Sequence, residues 1–170
     1  MPIVAKPAKT SLTVFLLGLF TGTLDGICAI IWSYKAGPVI IFQYIASAAF
    51  GPRQAFSGGW PMVYWGIAFH YFIAFAFTVL WYKTYNWFYK ILGNEFIVAF
   101  VYGLLTWIIM NILVLPFTQI GMKPFKILPT IIGMAILVFA VGLPIALVAE
   151  RKIKNQANAG KSERVFLHNK

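Results

Sequence analysis

The chain has 170 residues, 61% of them hydrophobic and only 11% charged, with a mean hydropathy of +0.81. That balance excludes a soluble domain, whose folded exterior needs far more charged and mixed polar surface. A formal net charge of +10 would suggest nucleic acid in a soluble protein. Here the basic residues flank apolar runs, where they set orientation and meet anionic lipid head groups, so no nucleic-acid partner is expected.

Four apolar runs, Leu12–Tyr34, Pro61–Tyr82, Glu95–Pro116 and Ile127–Ala149, each reach the ~20 residues that cross a hydrocarbon core. They predict an all-α integral membrane protein, four transmembrane helices in a bundle, as one domain over residues 1–154 with a polar cytoplasmic tail over 155–170. The N-terminal stretch Met1 to Thr10, with Pro2, Pro7, Lys6 and Lys9, reads as a short mobile arm. Thr10 or Ser11 is a natural cap for the first helix. The apolar run continues past Cys28 with no small-x-small cleavage signature, so it reads as a retained span rather than a signal peptide. The lone Cys28 excludes an internal disulfide.

The first span carries Gly18, Gly22 and Gly26 at intervals of four, a pattern that allows close helix approach. Its partner is span three or four of the same chain or another protomer, with intramolecular packing favoured; beyond the lipid bilayer, a second copy or another membrane protein is the kind of partner expected. Asp25 precedes Gly26 and lies at the edge of this smooth face, about 100° round the helix. Trp32 and Tyr34 mark the far interface, where amphipathic rings prefer to sit. Next, Pro38 to Phe50 is bounded by Gly37-Pro38 and Gly51-Pro52, which predicts a helix of about thirteen residues, roughly 20 Å long. That is too short to cross, and it is apolar apart from Gln43 and Ser47, so it reads as an interfacial or re-entrant helix. A loop over 51–59 follows, with Arg53 as its charge.

His70 lies within the second span, and the basic, aromatic stretch from Lys83 to Asn94 reads as an interfacial loop. The third span closes at Pro116, and a Pro-framed loop over 116–124 leads to the fourth, which Pro144 is placed to kink. The polar residues after Lys154 read as disordered. Spans one and three share Gly-Leu-x-Thr, at Gly18-Leu19-Phe20-Thr21 and Gly103-Leu104-Leu105-Thr106. This fits either two hairpins related by a parallel repeat or coincidence in a glycine-rich apolar sequence. Ten Lys and Arg fall on the side of the termini against four on the other, or seven against four when only Arg151, Lys152 and Lys154 are counted from the C-terminal region. Both termini are therefore expected in the cytoplasm.

An ionisable group at mid-membrane costs about 2.5 to 3.5 kcal/mol on insertion scales, so it needs a partner or water. Asp25 and His70 are the two such groups, each about nine residues, or roughly 13 Å, from the outer end of its span. Asn111 lies a turn closer to the outer side, and Arg53 comes from the loop above. One reading is a periplasm-facing pocket in which Asp25 and His70 share a proton or bind a small polar ligand, with Asn111 and Arg53 at its rim. The other is that these groups only fix helix packing, worth around 1 kcal/mol per interhelical hydrogen bond. One intramembrane His and one Cys make no metal set, and no cofactor is expected. No Ser-His-Asp spacing, phosphate-binding loop or Cys pair points to an enzyme, and no catalytic residue is assigned.

The chain resembles the YagU-like small four-span bacterial inner-membrane proteins. The resemblance rests on the glycine-bearing first span, on Gly66-Ile-Ala-Phe-His70-Tyr71 in an aromatic second span, and on the Pro116, Gly121, Pro124 connector. It departs from them in carrying Gly133-Met134 on the fourth span where that family would place a His, so a paired-His mechanism is not implied. The resemblance implies a location in the bacterial inner membrane and a link to acid tolerance or envelope homeostasis.

Overall fold

The computed structural model describes residues 7–122 and 124–168, and the side chains of 11–122 and 124–155. The arm before Pro7 lies outside the described residues, as do the side chains of the polar C-terminal segment. The protein is an all-α membrane bundle, with four helices long and apolar enough to cross a bilayer: Ser11–Trp32, Gly59–Leu92, Glu95–Phe117 and Ile127–Asn155. Among the described residues there is no strand.

Helix α1 runs over Pro7–Trp32. It starts ahead of the cap expected at Thr10 or Ser11, because Pro7 suits a first helical position, where its missing amide would have no partner anyway. The short apolar helix is α2, Gly37–Phe50, followed by a single turn and a half, α3, Pro52–Ser57. Helix α4, Gly59–Leu92, has 34 residues and overruns the expected span. The stretch from Lys83 to Leu92 is helix, not loop. No Pro or Gly interrupts it before Gly93, and its rings have partners: Tyr85 stacks on Tyr89 at 5.7 Å and Phe88 meets Tyr102 edge-on at 5.2 Å. Gly93 closes α4 with φ 67°, a left-handed conformation that favours glycine. Asn94 then caps α5, Glu95–Ile108, accepting from the amides of Phe96 at 2.8 Å and Ile97 at 3.2 Å.

Spans three and four share a defect with one cause. A π-helical segment, Ile109–Val114, continues α5 and runs into a 3-10 turn over Leu115–Phe117. Helix α6, Ile127–Leu137, passes through a second π segment, Val138–Gly142, into α7, Leu143–His168. Each π segment directly precedes a proline region. The amide of Leu115 bonds five residues back to Met110, and that of Leu143 to Val138. A proline lacks an N–H and its ring crowds the carbonyl four residues earlier, and a widened turn ahead of Pro116 and Pro144 relieves that clash. The fourth span therefore widens before Pro144. Helix α7 continues to His168, so the polar C-terminal segment is helical where a disordered tail was expected. Its Ala, Lys, Glu and Gln residues favour helix, and it contains no proline.

The chain packs up-down-up-down. Spans three and four approach backbone to backbone: a Cβ on Gly142 would lie 2.1 Å from the Ala99 carbonyl oxygen, and one on Gly103 would lie 2.5 Å from the Val138 amide nitrogen. The core around them includes Trp81, Tyr85, Val98, Tyr102 and Ile145. Helix α2 lies across α4 rather than along it. Phe42 meets His70 and Phe50 meets Trp65 and Phe69, so residues eight apart on α2 touch the same two turns of α4. A Cβ on Gly66 would lie 1.9 Å from the Phe42 carbonyl oxygen, so this crossing depends on a glycine.

Candidate functional site

The three glycines of α1 face α4, in the same chain. A Cβ on Gly18 would meet the Phe75 ring at 2.3 Å, one on Gly22 would meet Ala74 at 3.0 Å and Tyr71 at 3.1 Å, and one on Gly26 would meet His70 Nε2 at 3.2 Å. The partner is thus span two, not the expected span three or four. Antiparallel neighbours joined by a short excursion pack first against each other, and the large rings of span two need the room that glycine leaves.

His70 is held by this face. Its Nε2 lies 2.7 Å from the carbonyl oxygen of Gly22. A carbonyl only accepts, so Nε2 carries the proton, and in the neutral ring Nδ1 is left as the acceptor. Gly22 supplies the acceptor and Gly26, one turn on, supplies the space. The ring is also flanked edge-on by Phe42 of α2 at 6.1 Å and by Tyr71 at 5.5 Å. Two hydroxyl pairs fix the same interface: Thr23 with Tyr71 at 2.8 Å, and the fully buried Thr21 with Thr78 at 3.1 Å.

Asp25 is half-buried and lies close enough to His70 for their charges to interact. It has no hydrogen-bond or ion-pair partner among the described residues. The structure thus brings Asp25 and His70 into one neighbourhood without joining them. The other two expected members are elsewhere in their bonding. Asn111 sits in the first π segment and donates from Nδ2 to the Trp107 carbonyl at 3.0 Å, within its own helix. Arg53 is exposed on α3, and its carbonyl accepts from the Ser57 hydroxyl at 2.9 Å. Among the described residues no three His, Cys, Asp or Glu side chains gather as metal ligands.

Sequence reasoning missed the polar layer one level below. Trp81 Nε1 donates to the Thr106 hydroxyl at 2.8 Å, Thr106 donates to the Tyr102 carbonyl at 2.7 Å, and the Tyr102 hydroxyl donates to the Trp81 carbonyl at 3.0 Å. The signal available was the shared Gly-Leu-x-Thr. Thr21 and Thr106, its two threonines, are both buried and both bond to span two, at Thr78 and Trp81. The chain matches no protein-family profile, no curated protein and no solved structure.

Proposed function

We propose that this multi-pass membrane protein takes up a proton or a small polar ligand at the Asp25 and His70 pair, approached from the periplasmic face of a bacterial inner membrane. The observation that carries the reading is Asp25: a carboxyl inside a span, with no bonded partner among the described residues, beside a histidine whose Nε2 is already committed to Gly22. A carboxyl so placed is costly unless a proton, water or ligand meets it. His70 adds a second proton site at Nδ1, in electrostatic reach of the Asp25 carboxyl. The distribution of Lys and Arg supports cytoplasmic termini, the apolar faces of the four spans support a lipid bilayer as their surroundings, and the resemblance to YagU-like proteins supports a role in acid tolerance or envelope homeostasis.

The test is a pH titration of the His70 ring by nitrogen-15 NMR in nanodiscs, for the parent chain and for Asp25→Asn. If the two groups share a proton, removing the carboxyl displaces the His70 midpoint. Superimposable curves would sink the proton reading. A second reading, that the polar groups serve only helix packing and partner binding, is favoured by the His70 bond to Gly22. On that reading His70→Gln and Asp25→Asn change thermal stability alone.

A further inference from the structure

We propose that the edge where α4 and α7 leave the bilayer is a seat for an anionic phospholipid, whose phosphate lies between Lys83 and Lys152 and whose acyl chain follows α4. The seat is independent of the Asp25 and His70 pair.

A uniform basic collar would attract anionic lipid equally on every side. This one is divided, because the carboxylates near it lie on one flank. On α7, Lys154 pairs with Glu150 and is within electrostatic reach of Glu95, the first residue of α5. Lys152 lies about 200° round the same helix from Lys154, and its ammonium sits 5.3 Å over the ring of Tyr82 on α4. Lys83 follows Tyr82, so the two lysines meet at one helix junction. On α4, Trp81 and Phe88 face α5, at Thr106 and Tyr102. Lys83 and Lys90, each two residues later and so about 200° round, are exposed on the opposite side, with no ion-pair partner among the described residues. The α5 flank is balanced by carboxylates, and the charge of Lys83 and Lys90 is not.

The level fits a lipid phosphate. Gly26 faces His70 and Gly22 faces Ala74, and the same antiparallel register brings Thr13 level with Lys83, near the end of the span that begins at Ser11. There the hydrocarbon core gives way to head groups. Towards the membrane centre, the face of α4 that carries Lys83 continues through Val79 and Phe72, four and eleven residues earlier and both exposed. One stripe thus offers apolar surface to an acyl chain and, where Lys152 joins it, two ammonium groups to a negatively charged head group. Lys90, on the same stripe, lies roughly 10 Å further out, past the phosphate.

The test is native mass spectrometry of the full chain released from detergent micelles doped with palmitoyl-oleoyl phosphatidylglycerol or the matching phosphatidylcholine. The parent should retain phosphatidylglycerol and lose phosphatidylcholine, which carries the same phosphate but no net charge. Lys83→Gln and Lys152→Gln should each weaken that retention about 5-fold, the factor one basic residue contributes at an anionic surface. Lys152→Arg, which keeps the charge and the contact with the Tyr82 ring, should restore it. Lys90→Gln removes the same charge from the same stripe and should leave retention nearly unchanged. Equal retention of the two lipids by the parent, a measurement that needs no variant, overturns the seat. So does a loss in Lys90→Gln as large as that in Lys83→Gln, which would mark an undivided collar. Full displacement of the lipid by glycerol 3-phosphate also overturns it, since the occupant would then be a soluble phosphate ester.

Discussion

Two of the glycine-lined interfaces between spans use glycine for different ends. Between spans three and four, the space beside Gly142 is filled by the Ala99 carbonyl and that beside Gly103 by the Val138 backbone together with its Cγ2. Between spans one and two, the space beside Gly18, Gly22 and Gly26 is filled by side-chain atoms of Phe75, Tyr71, Ala74 and His70. Backbone has nowhere to go, whereas a ring can shift by a few tenths of an ångström. One half of the molecule is therefore a fixed frame, and the other is an adjustable seat for an ionisable group.

The sharpest way to break the comparison is Gly142→Ala. Its methyl group would collide with the Ala99 carbonyl oxygen at 2.1 Å and crowd the Gly103 amide at 3.2 Å, so the two helices must separate along the core. Overpacking of this kind costs about 3 kcal/mol, and thermal unfolding in detergent should show a large loss. Because the clash is remote from His70, the histidine titration of whatever protein remains folded should be unchanged. A mild loss would mean that spans three and four are as adjustable as spans one and two.

A smaller effect, and a different one, is expected at Gly26→Ala. The new methyl would approach His70 Nε2 to 3.2 Å, and the ring yields instead of the backbone. We expect a cost of about 1 kcal/mol, together with a displaced Nε2 resonance as the bond to the Gly22 carbonyl lengthens. If stability falls while the resonance stays in place, Gly26 is a packing residue and not part of the histidine seat.

These contrasts explain what could be read from the chain and what could not. The four spans, the short helix and the packing role of Gly18, Gly22 and Gly26 follow from length, apolarity and spacing, which are local properties. The helical run from Lys83 to Leu92 was hidden, because its aromatic and basic residues look interfacial until Tyr85 and Phe88 find rings on the same and the next span. The equal depth of Asp25 and His70 was legible by counting residues. That the histidine bonds to a backbone carbonyl was not, because a sequence lists side chains and the Gly22 oxygen belongs to none. Asn111 and Arg53 have no bond to Asp25 or His70 among the described residues: the Asn111 amide donates to the Trp107 carbonyl of its own helix, and Arg53 is exposed on a short one. The backbone contacts of Gly103 and Gly142 were present only as glycines in a glycine-rich chain, with no spacing to mark them.

The smallest expected effect has the opposite sign and falls at the far end of α4, where span two meets spans three and four. Tyr85 is 1% exposed and packs in the core with Val98 and Ile145, and its buried hydroxyl has no hydrogen-bond partner among the described residues. A hydroxyl buried without a partner carries its full desolvation cost, on the order of 1 kcal/mol. If that part of the bundle is held by packing alone, Tyr85→Phe keeps the ring and its stack on Tyr89, removes the penalty, and raises the unfolding temperature slightly. The matched change at the adjustable interface, His70→Phe, keeps an aromatic ring but discards the donor to Gly22, and should lower it. A pair of shifts of opposite sign would establish that the His70 seat depends on its polar contact and that the Tyr85 site does not. A loss of stability in Tyr85→Phe would show instead that its hydroxyl has an interaction in the folded protein, and Glu150, whose charge reaches Tyr85, would be the first place to look.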